Sequence, residues 1–414
     1  MVKSIDVLII GGGMITNDQI LPSIYHMQRK GEVSNISISA LNSDPLKDLV
    51  DSTRLKNAFP GQGFDPFPLL NEKGNHPDLY KEALAEMKPR QAVVVALPDQ
   101  LHYGAVMEAL NHDQHVLCVK PLVLKHSQTL EIEKLAQEKG LFVGIEYHKR
   151  FDPRAKRLKL EYDNGAFGDF AIGNASMIEP RDYRNSNFQN WFTCENTDPF
   201  VYISCHYTDQ LIWITGLNPT EVSVKGKIQK FTNGKKAYMW SDGRVTFDKG
   251  GILNVQSGLG YPDQGAGSND QGIRFFFEGR DETYLAEHDD QRRGITHCTT
   301  RGHKWVSSDY FALLPEPGVE GLGAQGYGYE SVAASINQMR RIEQAVAGMG
   351  ETESLEKRQE LIRLVDQEGL IATPANSAYN EVITEAARMS ILSDGMPVTI
   401  SYAGNIPLIQ FKKL

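Results

Sequence analysis

Cysteine is scarce, with Cys118, Cys194, Cys205 and Cys298 the only four in 414 residues and no CxxC spacing among them. That excludes the disulfide framework of small secreted domains, and free thiols in a reducing compartment are expected instead. No apolar stretch approaches the ~20 residues that a membrane helix needs. The opening run Met1–Ile10 is broken by Lys3 and Asp6 and passes straight into glycines. Neither a signal peptide nor a span is expected there, and the expected location is the cytoplasm. Basic residues are in deficit, 43 Lys and Arg against 52 Asp and Glu, for a formal charge of -9. Such a surface repels phosphate backbones and acidic headgroups, which argues against nucleic acid and membrane as partners. HExxH and comparable ligand spacings are missing, so no metal site is expected.

What is present is ordinary globular composition, 41% hydrophobic and 23% charged, at a length suited to about two domains. The first part alternates short apolar runs with helical patterns. Strands are expected at Val7–Ile10, Ile36–Leu41, Ala92–Leu97, His115–Val119 and Leu141–Ile145. Helices are expected at Asn17–Lys30, Leu46–Ala58, Leu79–Met87, His102–Asn111 and Leu130–Lys139, with a loop over Pro60–Pro77. This rhythm predicts a doubly wound parallel sheet of Rossmann type over residues 1–148. From residue 149 to 414 the texture changes. Strand-like runs at Thr220–Gln229 and Gly272–Glu278 flank a glycine-rich segment, Ser257–Gly272, that reads as a loop. Helical patterning returns at Tyr329–Ala347, Leu355–Leu364 and Ala378–Leu392, which predicts an α+β second domain on one large sheet.

Gly11-Gly12-Gly13-Met14-Ile15-Thr16 joins the first strand to the first helix. In a dinucleotide fold the first glycine permits a tight turn and the second lets the backbone approach pyrophosphate. The helix N-terminus then offers unpaired amides to the anion. Gly11 and Gly13 fill those two places, with Met14 and Ile15 opening the helix, and Thr16 replaces a third glycine. The ribose end falls on Leu41-Asn42-Ser43-Asp44-Pro45. Asp44 either accepts from ribose hydroxyls or caps the next helix. Asn42 lacks the charge that would repel a 2′-phosphate, and Lys47 is near enough to attract one, so NAD and NADP both stay open.

Leu97-Pro98-Asp99-Gln100-Leu101-His102 before a helix, then His115-Val116-Leu117-Cys118-Val119-Lys120-Pro121-Leu122 after it, form a more specific pattern. With Tyr147–Pro153, His206-Tyr207-Thr208-Asp209 and Ala378–Leu392, it resembles the glucose–fructose oxidoreductase, inositol dehydrogenase and rhizopine-catabolism family, Gfo/Idh/MocA. The resemblance spans most of the chain. It implies that Leu97, Pro98 and His102 line the cofactor site, and that Lys120 reaches the nicotinamide ribose and a substrate hydroxyl. It also implies self-association through the second-domain sheet into a dimer or tetramer. Two departures stand out: Val119 occupies a place where the family usually has Glu, and Tyr202 one where it commonly has Asp.

Oxidising a secondary alcohol needs a hydride acceptor and a group that takes the hydroxyl proton. By resemblance Lys120 stabilises developing alkoxide charge. Tyr202, His206, Asp209 and Trp213 are spaced to share one face of a helix over Val201–Ile214. His206 suits acid–base work near neutrality, Asp209 a substrate hydroxyl, and Tyr202 either chemistry or packing. Lys149, Arg150, Arg181 and Arg184 form a cationic rim for an anionic sugar, or are solvated or paired with Asp152, Glu179 or Asp182. Tyr261, Asp263, Asn269 and Asp270 lie in the segment read as a loop, a lid or a plain surface connection. The leading expectation is an NAD(P)-dependent dehydrogenase acting on a secondary hydroxyl of a sugar or cyclitol. Two others stand beside it: a redox-neutral NAD-dependent glycosidase working by oxidation and elimination, and a non-catalytic regulator of sugar metabolism. The expectation depends on Lys120 and His206 converging beside the nicotinamide.

Overall fold

A computed structural model describes residues 4–265, 269–289, 309–404 and 406–413, and the backbone of the strands Ile295–Thr299 and Gly302–Val306. The chain divides into two compact units. The first comprises Met1–Leu122, Ser127–Phe151 and Asp309–Asn376; the second, Val123–His126, Asp152–Ser308 and Ser377–Leu414.

Six short strands build the first unit: β1 (Ile5–Ile10), β2 (Val33–Ser39), β3 (Asp65–Phe67), β4 (Ala92–Val95), β5 (His115–Val119) and β6 (Val143–Glu146). They pair in parallel in the order β3-β2-β1-β4-β5-β6. β4 and β5 are buried at every position, as expected for strands covered by helices on both faces. Strand order reverses between β1 and β4, which opens a crevice at their carboxyl ends. The expected doubly wound sheet is there, with one strand more: β3 lies inside the stretch read as a loop, where prolines confine it to the sheet edge. The helix expected over Leu46–Ala58 is two, Ser43–Asp51 and Thr53–Ala58. Ser52 divides them because its hydroxyl caps the second, accepting from the Leu55 amide at 3.3 Å.

Residues 309–376 were expected in the second domain, yet they belong to the first unit. The reason is burial. The helix Tyr327–Ala345 inserts Val332, Ile336, Met339 and Ile342 into the same core as Val7, Ile9, Ile24 and Val94. Ile362 and Val365, from the helix Glu351–Glu368, join them.

In the second unit, β7 (Asp169–Pro180), β8 (Pro219–Lys230), β9 (Lys236–Phe247), β10 (Ile252–Tyr261), β11 (Asp270–Glu278) and β12 (Thr283–Asp289) form most of an eight-stranded sheet. Its order is β12-β11-β7-β10-β9-β8, followed by Val398–Ser401 and Leu408–Phe411. Only the β7–β10 pair among these is parallel. Val222, Val245, Val255, Met177 and Phe275 alternate inward, while Asn174, Asp242, Arg244, Gln256 and Arg274 face out. The segment Ser257–Gly272 is not a plain loop, since β10 runs to Tyr261 and β11 begins at Asp270. Gly258 and Gly260 belong to β10 because the Trp240 indole lies across them, where a Cβ would collide with the ring. Among the described residues no helix is long and apolar enough to cross a membrane. Cys118 and Cys205 are buried free thiols and Cys194 a half-buried one; the Cys298 side chain lies outside the described residues.

Candidate functional site

The crevice between β1 and β4 is closed on one side by glycine. Gly11 has φ +117°, and a Cβ there would collide with the Ala96 carbonyl and lie 3.4 Å from Leu97 Cδ2. Only glycine meets both demands. Gly12 is nearly as confined, with Pro45 Cβ 3.3 Å and Ala40 Cβ 3.4 Å from its would-be Cβ. Gly13 has nothing within 4 Å on that side, so the open space begins there. The helix starts at Met14 and passes through a π-helical turn, Thr16–Ile20, before the regular helix Leu21–Arg29. It was expected to begin near Asn17. Thr16 is buried, and its hydroxyl donates to the Gly11 carbonyl at 2.6 Å. The residue that departs from a three-glycine turn thus clamps the turn.

This shape suits a dinucleotide: a cradle in which side chains are excluded at Gly11, open at Gly13, and headed by a helix N-terminus. At the ribose position, Asn42 rather than Asp44 caps the helix Ser43–Asp51, accepting from the Asp44 amide at 3.2 Å. The Asn42 amide donates to Asn75 Oδ1 at 3.1 Å, and the buried Ser43 hydroxyl donates to the Glu72 carbonyl at 2.8 Å. Lys47 pairs with Asp44 at 3.3 Å, both well exposed.

His102 opens the helix His102–Asn111 and is fully buried. One ring nitrogen, Nδ1, lies 2.7 Å from the Pro121 carbonyl oxygen, and Nε2 lies 2.7 Å from that of Leu97. Lys120 follows β5 directly, is half-buried, and precedes Pro121 through a cis peptide bond. Gly11, Leu97, His102 and the Lys120–Pro121 turn are therefore brought together.

A buried network that motif reading missed adjoins the same helix start. Glu146 ends β6 and accepts from Gln19 at 2.8 Å and Ser331 at 2.7 Å, and its carboxylate meets His148 Nδ1 at 3.1 Å. Gln19 in turn accepts from the Tyr310 hydroxyl at 2.5 Å. The signal available was a carboxylate closing an apolar strand run, which buries only with partners. Lys149 and Arg150 are fully buried too, so the solvated alternative among their readings does not hold. Arg150 donates to the Gly369 carbonyl at 3.0 Å and Asn376 Oδ1 at 3.2 Å, while Asp152 pairs with Arg154 at 2.7 Å.

In the second unit the helical stretch around His206 is not the uniform helix that the spacing predicted. A π-helical turn, Phe200–Ser204, leads into the helix Cys205–Thr215. Tyr202 lies in that wider turn and not on the regular helix. Its ring instead packs edge-on against Phe188, Trp191 and Phe192, with centroids 5.4, 5.5 and 5.6 Å away. Trp213 is half-buried under Lys159, whose ammonium lies 5.5 Å from the ring centroid. His206 and Asp209 are both buried on the regular helix. Asp209 Oδ1 accepts from Asn380 at 2.8 Å and from the Tyr379 hydroxyl at 3.3 Å, two partners that open the helix Tyr379–Leu392. Arg181 is exposed. Arg184 donates to Gln229 at 2.8 Å and covers the Trp240 ring at 5.8 Å, so it is engaged within the sheet.

Fold and cradle together define an α/β dinucleotide-binding protein of Rossmann type. Residues 5–147 match the family described as oxidoreductase family, NAD-binding Rossmann fold (GFO_IDH_MocA). The resemblance drawn from the motifs is borne out. An uncharacterized oxidoreductase of Schizosaccharomyces pombe is 28% identical over 208 residues, 42% of this chain and 55% of that protein. The D-glucoside 3-dehydrogenase of Escherichia coli is 24% identical over 192 residues, 42% of this chain and 53% of the enzyme. The chain thus matches a little over half the length of these relatives. Among solved structures, GenD2 from gentamicin A biosynthesis, in complex with NAD, superposes with TM-score 0.65 at 17% identity, covering 97% of each chain.

Proposed function

We propose that this protein transfers a hydride between a nicotinamide dinucleotide and a secondary hydroxyl or keto group of a sugar or cyclitol. The observation carrying the reading is the glycine turn at the β1–β4 reversal, with the Lys120 turn bound to the same crevice through His102. The E. coli relative named as acting on a glucoside supports a carbohydrate substrate. Gly11, Gly13, Met14 and Ile15 receive the pyrophosphate, and Asn42 and Ser43 the adenosine ribose. Leu97 and Pro98 wall the nicotinamide end, with His102 packed beneath them. When bound, the dinucleotide supplies the hydride acceptor. Lys120 places its ammonium on the reacting oxygen and stabilises alkoxide charge as it develops. His206 takes the hydroxyl proton, and Asp209, Tyr202 and Arg181 contact the remaining hydroxyls.

Incubating the protein with NAD or NADP and a panel of sugars, cyclitols and aryl glycosides tests the proposal through absorbance at the reduced nicotinamide band. The expected result is reduced cofactor with at least one polyol, and a loss of roughly 10²-fold or more in rate for Lys120→Met or His206→Ala. Aglycone release without cofactor consumption would replace it by oxidation and elimination. Dinucleotide binding with no turnover of any kind would leave a regulator.

A further inference from the structure

The His102 ring bridges two backbone carbonyls from different connections of the sheet. Leu97 lies just past β4, against the glycine turn, and Pro121 is the residue after Lys120. Carbonyl oxygens only accept, so the ring is the donor, from one nitrogen when neutral and from both as the imidazolium. An apolar side chain could fill the same space but would leave both carbonyl oxygens without this partner, so filling the space does not by itself account for the residue. A rigid ring spanning two acceptors fixes the separation of the two segments far more tightly than packing does. The Cys118 thiol supports the same turn from below, 3.9 Å from the Leu122 carbonyl.

We infer that His102 is a positioning residue for Lys120: by holding the Pro121 carbonyl to that of Leu97, it sets where the ammonium meets the nicotinamide half of the dinucleotide. The inference rests on the first unit being the nucleotide site. It predicts a selective defect, because the pyrophosphate cradle at Gly11–Thr16 does not depend on the Lys120 turn.

Equilibrium binding of NAD and of ADP, which lacks the nicotinamide riboside, separates the possibilities in wild type, H102Q, K120M and the H102Q/K120M double variant. The expected result is that H102Q weakens NAD about tenfold, the size of one or two hydrogen bonds, and ADP by less than about twofold. In the K120M background the same change should cost NAD less than about twofold, since a residue acting through Lys120 has nothing left to act on. H102N, with a shorter amide, should bind NAD more weakly than H102Q, and it serves in the same cycle if H102Q does not fold. Equal losses for NAD and ADP, or losses that add fully to those of K120M, overturn the inference while leaving the dinucleotide site intact. Wild-type protein that binds none of NAD, NADP and ADP overturns both.

Discussion

At the scale of single residues, the three opening glycines look interchangeable as letters and are not interchangeable in space. Gly11 combines φ +117° with a blocked Cβ direction, whereas Gly13 faces open space. Gly11→Ala should cost on the order of 1–3 kcal/mol, from strained backbone together with a steric clash. Gly13→Ala should leave the unfolding transition within about 0.5 kcal/mol of wild type, since its methyl meets no protein atom. With NAD present the order narrows, because that methyl occupies the space assigned to pyrophosphate. Thermal melts with and without NAD check both halves. A Gly13→Ala protein that melts early without ligand would refute the assignment of open space. Thr16 makes the complementary point. Its hydroxyl bond to the Gly11 carbonyl shows how a residue that weakens a motif by letter can strengthen the turn by contact.

Elements were legible where one periodicity ran unbroken, and less so where two local preferences met. His102–Asn111 and β5 lie where the pattern placed them because flanking polar residues mark both ends. The helix around His206 was found, but its register was not. Nothing in the letters Phe200-Val201-Tyr202-Ile203-Ser204 distinguishes a π-helical turn from a regular one. Similarly, glycines in β10 read as a loop until the Trp240 indole is seen to need their missing side chains. The segment 309–376 was assigned by position along the chain, whereas its apolar stripe belongs to the first core. Ile336 is fully buried there, so Ile336→Ala should destabilise by about 2–5 kcal/mol. The loss should appear in the transition that NAD shifts, which is the one reporting on the first unit. Loss confined to a transition that NAD leaves untouched would mean the helix Tyr327–Ala345 serves the second unit instead.

On the scale of the whole molecule, each unit buries a histidine whose charged form is disfavoured. Burial lowers the pKa of His26 in the first unit, outweighing the upward pull of Glu316. Burial likewise lowers that of His126 in the second, outweighing Glu385 and the Ala378 carbonyl. In the unfolded chain such rings take up a proton near pH ~6.5, and in the folded protein only at lower pH. Between those limits the unfolded state holds more protons, so the stabilisation is complete above pH ~6.5 and drains away as pH falls. Asp18, Glu133 and Asp366 have pKa values raised by burial and so act in the opposite sense. Their effect extends upward from the ordinary carboxylate range of pH ~4. Between pH ~7 and ~5.5 the two histidines therefore lower stability as pH falls, and wild-type Tm should fall with them. Replacing His26 and His126 together with Gln removes the titration and should flatten that fall, whatever it does to Tm at neutral pH. A double variant whose Tm drops as steeply as wild type would mean that other groups carry the acid sensitivity.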